Sequence, residues 1–130
     1  MKTSFHNYVL TDEYPISAQA VENLRDGSYW APDRPLELIA KTIENSICVG
    51  VFMQDELVGF ARVVTDKAVF AWIADVIVAE AHRGKGLGQE LISFIQAHPD
   101  IPAHSQFLRT RDAHGLYEKY GFKKSEIMSK

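Results

Sequence analysis

The 130-residue sequence contains one cysteine, Cys48, so no disulfide can form within the chain. Cys48 lies in the apolar run Ile47-Cys48-Val49, where it reads as a small buried hydrophobe rather than a nucleophile. No hydrophobic stretch approaches the ~20 residues of a membrane span. The first seven residues lack the apolar core of a secretion signal, so a cytoplasmic protein with no membrane partner is expected. An excess of positive charge is also missing. The net charge is −3, and without a long basic run the chain has no nucleic-acid footprint. The five histidines, at 6, 82, 98, 104 and 114, show no metal-ligand spacing, so no metal is expected. Internal repeats, low-complexity tracts and linkers are absent.

What is present is an ordinary globular composition, 46% hydrophobic and 24% charged, at a length that suits one domain over residues 1–130. A weak alternation over Phe5 to Leu10 predicts an edge strand, and Asp12 to Pro15 a turn. Apolar residues at 16, 20, 21 and 24 predict a helix that Gly27 closes, and a second helix is expected just after Pro35. Residues 46–53 and 57–64 read as a hairpin turned at Gln54-Asp55-Glu56. Residues 69–78 read as a strand with Trp72, Ala74, Val76 and Val78 on one face and Ile73, Asp75 and Ile77 on the other. Helix at 90–97, strand at 107–110, a short helix through Tyr120 that Gly121 ends, and a last strand from Phe122 complete the order. The fold class is α/β, with a mixed, mostly antiparallel sheet flanked by helices.

The chain is organised around residues 76–89. The β-branched run Val76-Ile77-Val78 predicts a buried strand, and Arg83-Gly84-Lys85-Gly86-Leu87-Gly88 leads from it into a helix. Glycines allow a ligand close to the backbone, and the unpaired N–H groups of a helix start attract anions. Arg83 and Lys85 add positive charge, so the segment reads as a pyrophosphate cradle. The dinucleotide fingerprint fails, because its third glycine falls on Gln89, and a P-loop fails because Gly86 follows Lys85.

The pattern that fits is Arg-x-x-Gly-x-Gly on Arg83, Gly86 and Gly88, which resembles the acetyl-coenzyme A motif of the GNAT N-acetyltransferase superfamily. A second segment, Asp112-Ala113-His114-Gly115-Leu116-Tyr117-Glu118-Lys119-Tyr120-Gly121-Phe122, resembles the family's closing motif. The resemblance covers most of the chain. It departs at Thr110-Arg111-Asp112, where many members carry an asparagine that contacts the cofactor.

The resemblance implies transfer of the acetyl group of acetyl-coenzyme A to an amine of a small molecule, amino acid derivative or peptide by direct attack. Arg83, Gly84, Lys85, Gly86, Leu87 and Gly88 would hold the phosphates. Ile77 and Val78, on a strand that splays from its neighbour in the family, would pair with the pantetheine arm. Tyr117 matches the family's general acid; its alternative is a core aromatic, a role that Tyr120 fits better. The loop between the first two helices lines the acceptor pocket in the family, which implies substrate-binding roles for Trp30 and Arg34. Trp30 packed on the sheet is equally compatible. Asp75 is either a base or a hydrogen-bonded structural residue, Arg62 faces either pocket or solvent, and His82 and Glu80 are expected in solvent. A non-catalytic acyl-coenzyme A sensor is the alternative from another class, and a homodimer is the base-rate expectation.

Overall fold

The computed structural model describes residues 1–26 and 33–130. Six strands form one sheet in chain order: β1 Lys2–Phe5, β2 Tyr8–Thr11, β3 Ile47–Met53, β4 Glu56–Thr65, β5 Ala71–Val78 and β6 Gln106–Leu108. The helices are α1 Ala18–Asp26, α2 Leu36–Glu44, α3 Leu87–Ala97 and α4 His114–Glu118. The first four pairings are antiparallel and β5–β6 is parallel, with α3 in the crossover. This is the mixed α/β arrangement expected.

Apolar side chains fill both faces of the sheet. On one, α3 presents Leu87, Leu91, Phe94 and Ile95 to Leu10, Val49, Val51, Ala61, Val63 and Ile73. On the other, Val21 and Leu24 of α1 and Ile39 of α2 cover Phe60 and Ile77. The Ser17 hydroxyl accepts the Ala20 N–H at 3.1 Å and starts α1, while α2 begins directly after Pro35.

Several expectations are corrected. The single N-terminal strand is a hairpin, turned at His6 with φ 54°. α3 starts at Leu87, three residues before the expected 90. The segment after Phe122 is no strand: residues 122–130 carry no regular structure, which leaves β6 at the sheet edge.

The correction with most consequence lies in β5. Between Phe60↔Ile77 and Arg62↔Ala74, β4 advances two residues and β5 three, a β-bulge at Asp75–Val76 with Asp75 at φ 52°. The extra residue reverses the inward–outward alternation. Ile73 therefore packs with α3, Ile77 packs with α1 and α2, and Val76 and Val78 join the α3 side. Unbroken alternation over residues 69–78 does not hold.

Candidate active site

The parallel pairing of β5 with β6 covers only Ala71↔Gln106, Trp72↔Phe107 and Ile73↔Leu108. It ends where the bulge bends β5 away, so the part of β5 that carries Ile77 and Val78 has no β6 partner. One carbonyl there is already used, since Arg83 Nε donates to Val78 O at 2.9 Å.

The glycine-rich segment follows. A single 3₁₀ turn, Glu80–His82, leads through Gly84 (φ 78°) to Gly86 (φ 88°), the N-cap of α3. Both lie in the left-handed region that a Cβ disfavours. No side chain caps α3, so the N–H groups of its first turn remain available to an anion. The three glycines differ in what surrounds them. A Cβ on Gly84 would meet nothing within 4 Å, one on Gly86 would approach Phe5 Cζ at 3.6 Å, and one on Gly88 would approach Leu116 Cδ2 at 3.6 Å. At Gly88 a Cβ would stand in ordinary contact with Leu116 of α4, so a side chain larger than alanine there would press on α4.

The hairpin β1–β2 braces this loop. The Tyr8 hydroxyl, in a residue only 3% exposed, lies 2.8 Å from His82 Nδ1, and Lys85 Nζ donates to it at 3.5 Å. His82 is therefore half-buried edge-on against Tyr8, where the sequence reading put it in solvent. The two residues stand 74 positions apart, and nothing in the chain's local pattern links them.

Leu116 and Tyr120 dock α4 onto the same end of α3. The Tyr120 hydroxyl donates to Gln89 O at 3.0 Å and accepts from Ser93 Oγ at 2.8 Å. Tyr117 is the buried one of the pair, at 8% exposure, packed edge-on against Phe122. It belongs to the broad apolar cluster on the α3 side that also takes in Val76, Val78, Leu87 and Leu116. No group among the described residues hydrogen-bonds the Tyr117 hydroxyl, and burial pushes its pKa up. Tyr117 also lines a cleft of about 640 Å³ between β6, α4 and residues 122–129, which no cradle residue reaches.

On the α1 side, the Asp75 side chain is 6% exposed and holds three guanidinium groups. Arg25 Nη1 reaches Oδ1 at 2.9 Å; Arg62 Nε at 3.0 Å and Arg34 Nη1 at 3.2 Å share Oδ2. Burial opposes the charge on Asp75. The Arg62 hydrogen bond and the charges of Arg62, Arg34 and Arg25 outweigh it, so its carboxyl stays below the usual carboxylate range. With both oxygens engaged and its proton affinity reduced, Asp75 is a poor base and a good anchor. Arg62 faces this cluster, its Nη1 donating to Ser46 Oγ at 3.1 Å. Arg34 is half-buried against Asp75, and Trp30 lies outside the described residues. The bulge turns Asp75 toward α1; an acidic residue inside an apolar strand was the one sequence signal of this cluster.

Among known proteins, the profile described as an acetyltransferase (GNAT) domain matches residues 44–124. An uncharacterized N-acetyltransferase ycf52-like protein of Prochlorococcus marinus is 32% identical over 95 residues, 69% of this chain and 52% of that protein. An uncharacterized N-acetyltransferase ycf52 of Pyropia yezoensis is 30% identical over 129 residues, 93% of this chain and 73% of that one. The chain thus spans about half the length of the Prochlorococcus relative. The crystal structure of a GNAT-family protein from Xanthomonas campestris pv. campestris superposes with a TM-score of 0.87 at 35% identity, covering 95% of this chain and 92% of that one. A parted sheet, a glycine-rich turn into an uncapped helix and these matches lead to one assignment: the chain belongs to the GNAT acetyltransferase family.

Proposed function

We propose that this protein transfers the acetyl group of acetyl-coenzyme A to an amine by direct attack. The observation that carries the reading is the presence together of three features: a stretch of β5 with no β6 partner, the uncapped N-terminus of α3, and the buried hydroxyl of Tyr117, unpartnered among the described residues. The residues suit a phosphate-bearing thioester. α3 offers N–H groups and a dipole, open space surrounds Gly84, and Arg83 and Lys85 stand exposed beside it.

When bound, the thioester supplies an activated acyl group. The chain's part is to hold and polarise. Arg83, Gly84, Lys85, Gly86, Leu87 and Gly88 bind the phosphates, with Gly88 acting through its amide. The edge of β5 at Ile77 and Val78 presents the Val78 backbone N–H where negative charge develops on the acyl oxygen, while Ile77 pairs with β4; such a donor is typically worth about 2.7–4 kcal/mol. Tyr117 Oη holds a proton for the departing sulfur, and its raised pKa keeps that proton in place at neutral pH. Asp75 does not take the amine's proton. An alkyl amine then reacts through its neutral fraction, at a cost of about 4.6 kcal/mol at pH 7.

The experiment is thiol release from acetyl-coenzyme A across a panel of amines, followed against pH. The expected result is amine-dependent release whose kcat/KM rises with pH toward the amine's own pKa. Coenzyme A binding without release for any amine would replace this reading with that of a sensor.

A further inference from the structure

The chemistry of the acceptor is written in the cluster around Asp75. Arg25 set aside, Arg34 and Arg62 bring two positive charges to one carboxylate oxygen, in side chains 25% and 12% exposed. Positive charge held out of water calls for an anion. Arg62 spends a second nitrogen on Ser46 Oγ. Arg34 spends only Nη1: its Nε and Nη2 have no hydrogen-bond partner among the described residues, and it is the most exposed of the three arginines. A guanidinium tied by one nitrogen to a buried carboxylate and, among the described residues, open at the others is a pre-oriented fork for an oxyanion.

Its position gives the fork a use. Asp75 sits at the bulge where β5 leaves β6, two residues before Ile77, and turns toward α1. Tyr117 belongs to the opposite, α3 side of the sheet. Arg34 and Tyr117 thus stand on opposite sides of the sheet, Arg34 on the side from which an amine would come to the free edge of β5 if the thioester sulfur lay toward Tyr117.

We propose that Arg34, held in place by Asp75, binds an oxyanion carried by the acceptor, so that the acceptors are small amines bearing a carboxylate or a phosphate. This rests on the acetyl-transfer reading above and narrows its substrate class. It also explains why one carboxylate gathers three arginines beside a site that must accept an amine: an anion on the acceptor completes the charge balance of Arg34.

Matched acceptors test it: glycine against glycinamide, and phosphoethanolamine against ethanolamine, with the intact chain. Wild type is expected to favour the anionic member of at least one pair by about tenfold or more in kcat/KM, the scale of one charge-assisted hydrogen bond. Arg34→Gln should erase that preference through KM for the anionic acceptor and leave the neutral one within about twofold, with Arg34→Lys restoring part of it. The pair that shows the preference identifies the oxyanion. Equal rates within both pairs overturn the proposal and leave acetyl transfer standing. So does an Arg34→Gln variant that loses both members of a pair equally and melts earlier, since that marks a structural latch. A readout without turnover separates the two ideas: the Arg34 Nε–H resonance, followed by NMR, should move with N-acetylglycine or inorganic phosphate and not with N-acetylglycinamide. Movement with the anions in a protein that releases no thiol refutes the transfer and keeps the anion site. No movement with either anion overturns the site.

Discussion

Replacing Asp75 by Asn isolates the charge that holds the arginines together. Asn tolerates the left-handed conformation that the bulge imposes at φ 52°, so the backbone is not the variable. The volume is also nearly unchanged. What changes is that one acceptor oxygen becomes an NH₂ pointed at a guanidinium, and three cations lose their counter-ion. Removing one partner of a buried ion pair typically costs 3–5 kcal/mol, and the partial exposure of Arg34 puts this case at the lower end, about 3 kcal/mol. For a chain of this size each kcal/mol moves Tm by roughly 3–5 °C, so a fall of about 10–15 °C is expected by calorimetry. The pH dependence has a fixed sign. The folded-state pKa of Asp75 is depressed, so its contribution is present above the unfolded carboxylate value of about 3.9 and is lost as pH falls through the lower folded value. The gap between wild type and variant should therefore narrow in acid. Part of the loss is repulsion between arginines, so Asp75→Asn should cost less on an Arg34→Gln background, with a coupling of about 0.5–3 kcal/mol. A Tm drop under about 3 °C at neutral pH, or strictly additive variants, would refute the reasoning.

Tyr117→Phe removes a buried hydroxyl that no described group satisfies, so Tm should hold or rise slightly while kcat falls by roughly 10²–10⁴. Tyr120→Phe should instead cost about 1 kcal/mol through the lost bonds to Gln89 and Ser93, with a smaller effect on turnover; equal turnover in the two variants would remove Tyr117 from the chemistry. Gly86→Ala forces a Cβ into the left-handed region at an expense of about 1–2 kcal/mol and should weaken coenzyme A binding by titration calorimetry, whereas Gly88→Val should act mainly on stability by wedging Leu116 away from α3. Burial pushes the Cys48 thiol up to about 11, so native protein at pH 8 should resist iodoacetamide and urea-unfolded protein should not; ready alkylation of the folded chain would contradict its packing beneath α2.

The sequence alone determined the features that repeat over a few neighbouring residues. Apolar spacing marked α1, α2 and the body of α3, Pro35 marked the start of α2, and Gln54-Asp55-Glu56 marked the turn between β3 and β4, of which Glu56 already belongs to β4. Gly84, Gly86 and Gly88 stood out as the points where the chain turns into a helix; φ is positive at the first two, and Gly88 already lies within α3. Each of these rests on local sterics and hydrogen bonding, which a short window of sequence contains. Tertiary structure decided the rest. A one-residue bulge moved Ile77 to the opposite face from Ile73, and alternation in sequence does not show where a strand gains a residue on its partner. Asp75 meets arginines 50, 41 and 13 positions away, and Tyr8 meets His82 across 74. A last, short strand was expected from Phe122, yet a strand exists only where a neighbour's edge takes up its hydrogen bonds, and here no pairing forms. The cradle could be read from the sequence because it is one continuous loop. The arginine cluster could not, because it exists only where α1, the segment before α2, β4 and the bulge of β5 are folded against one another.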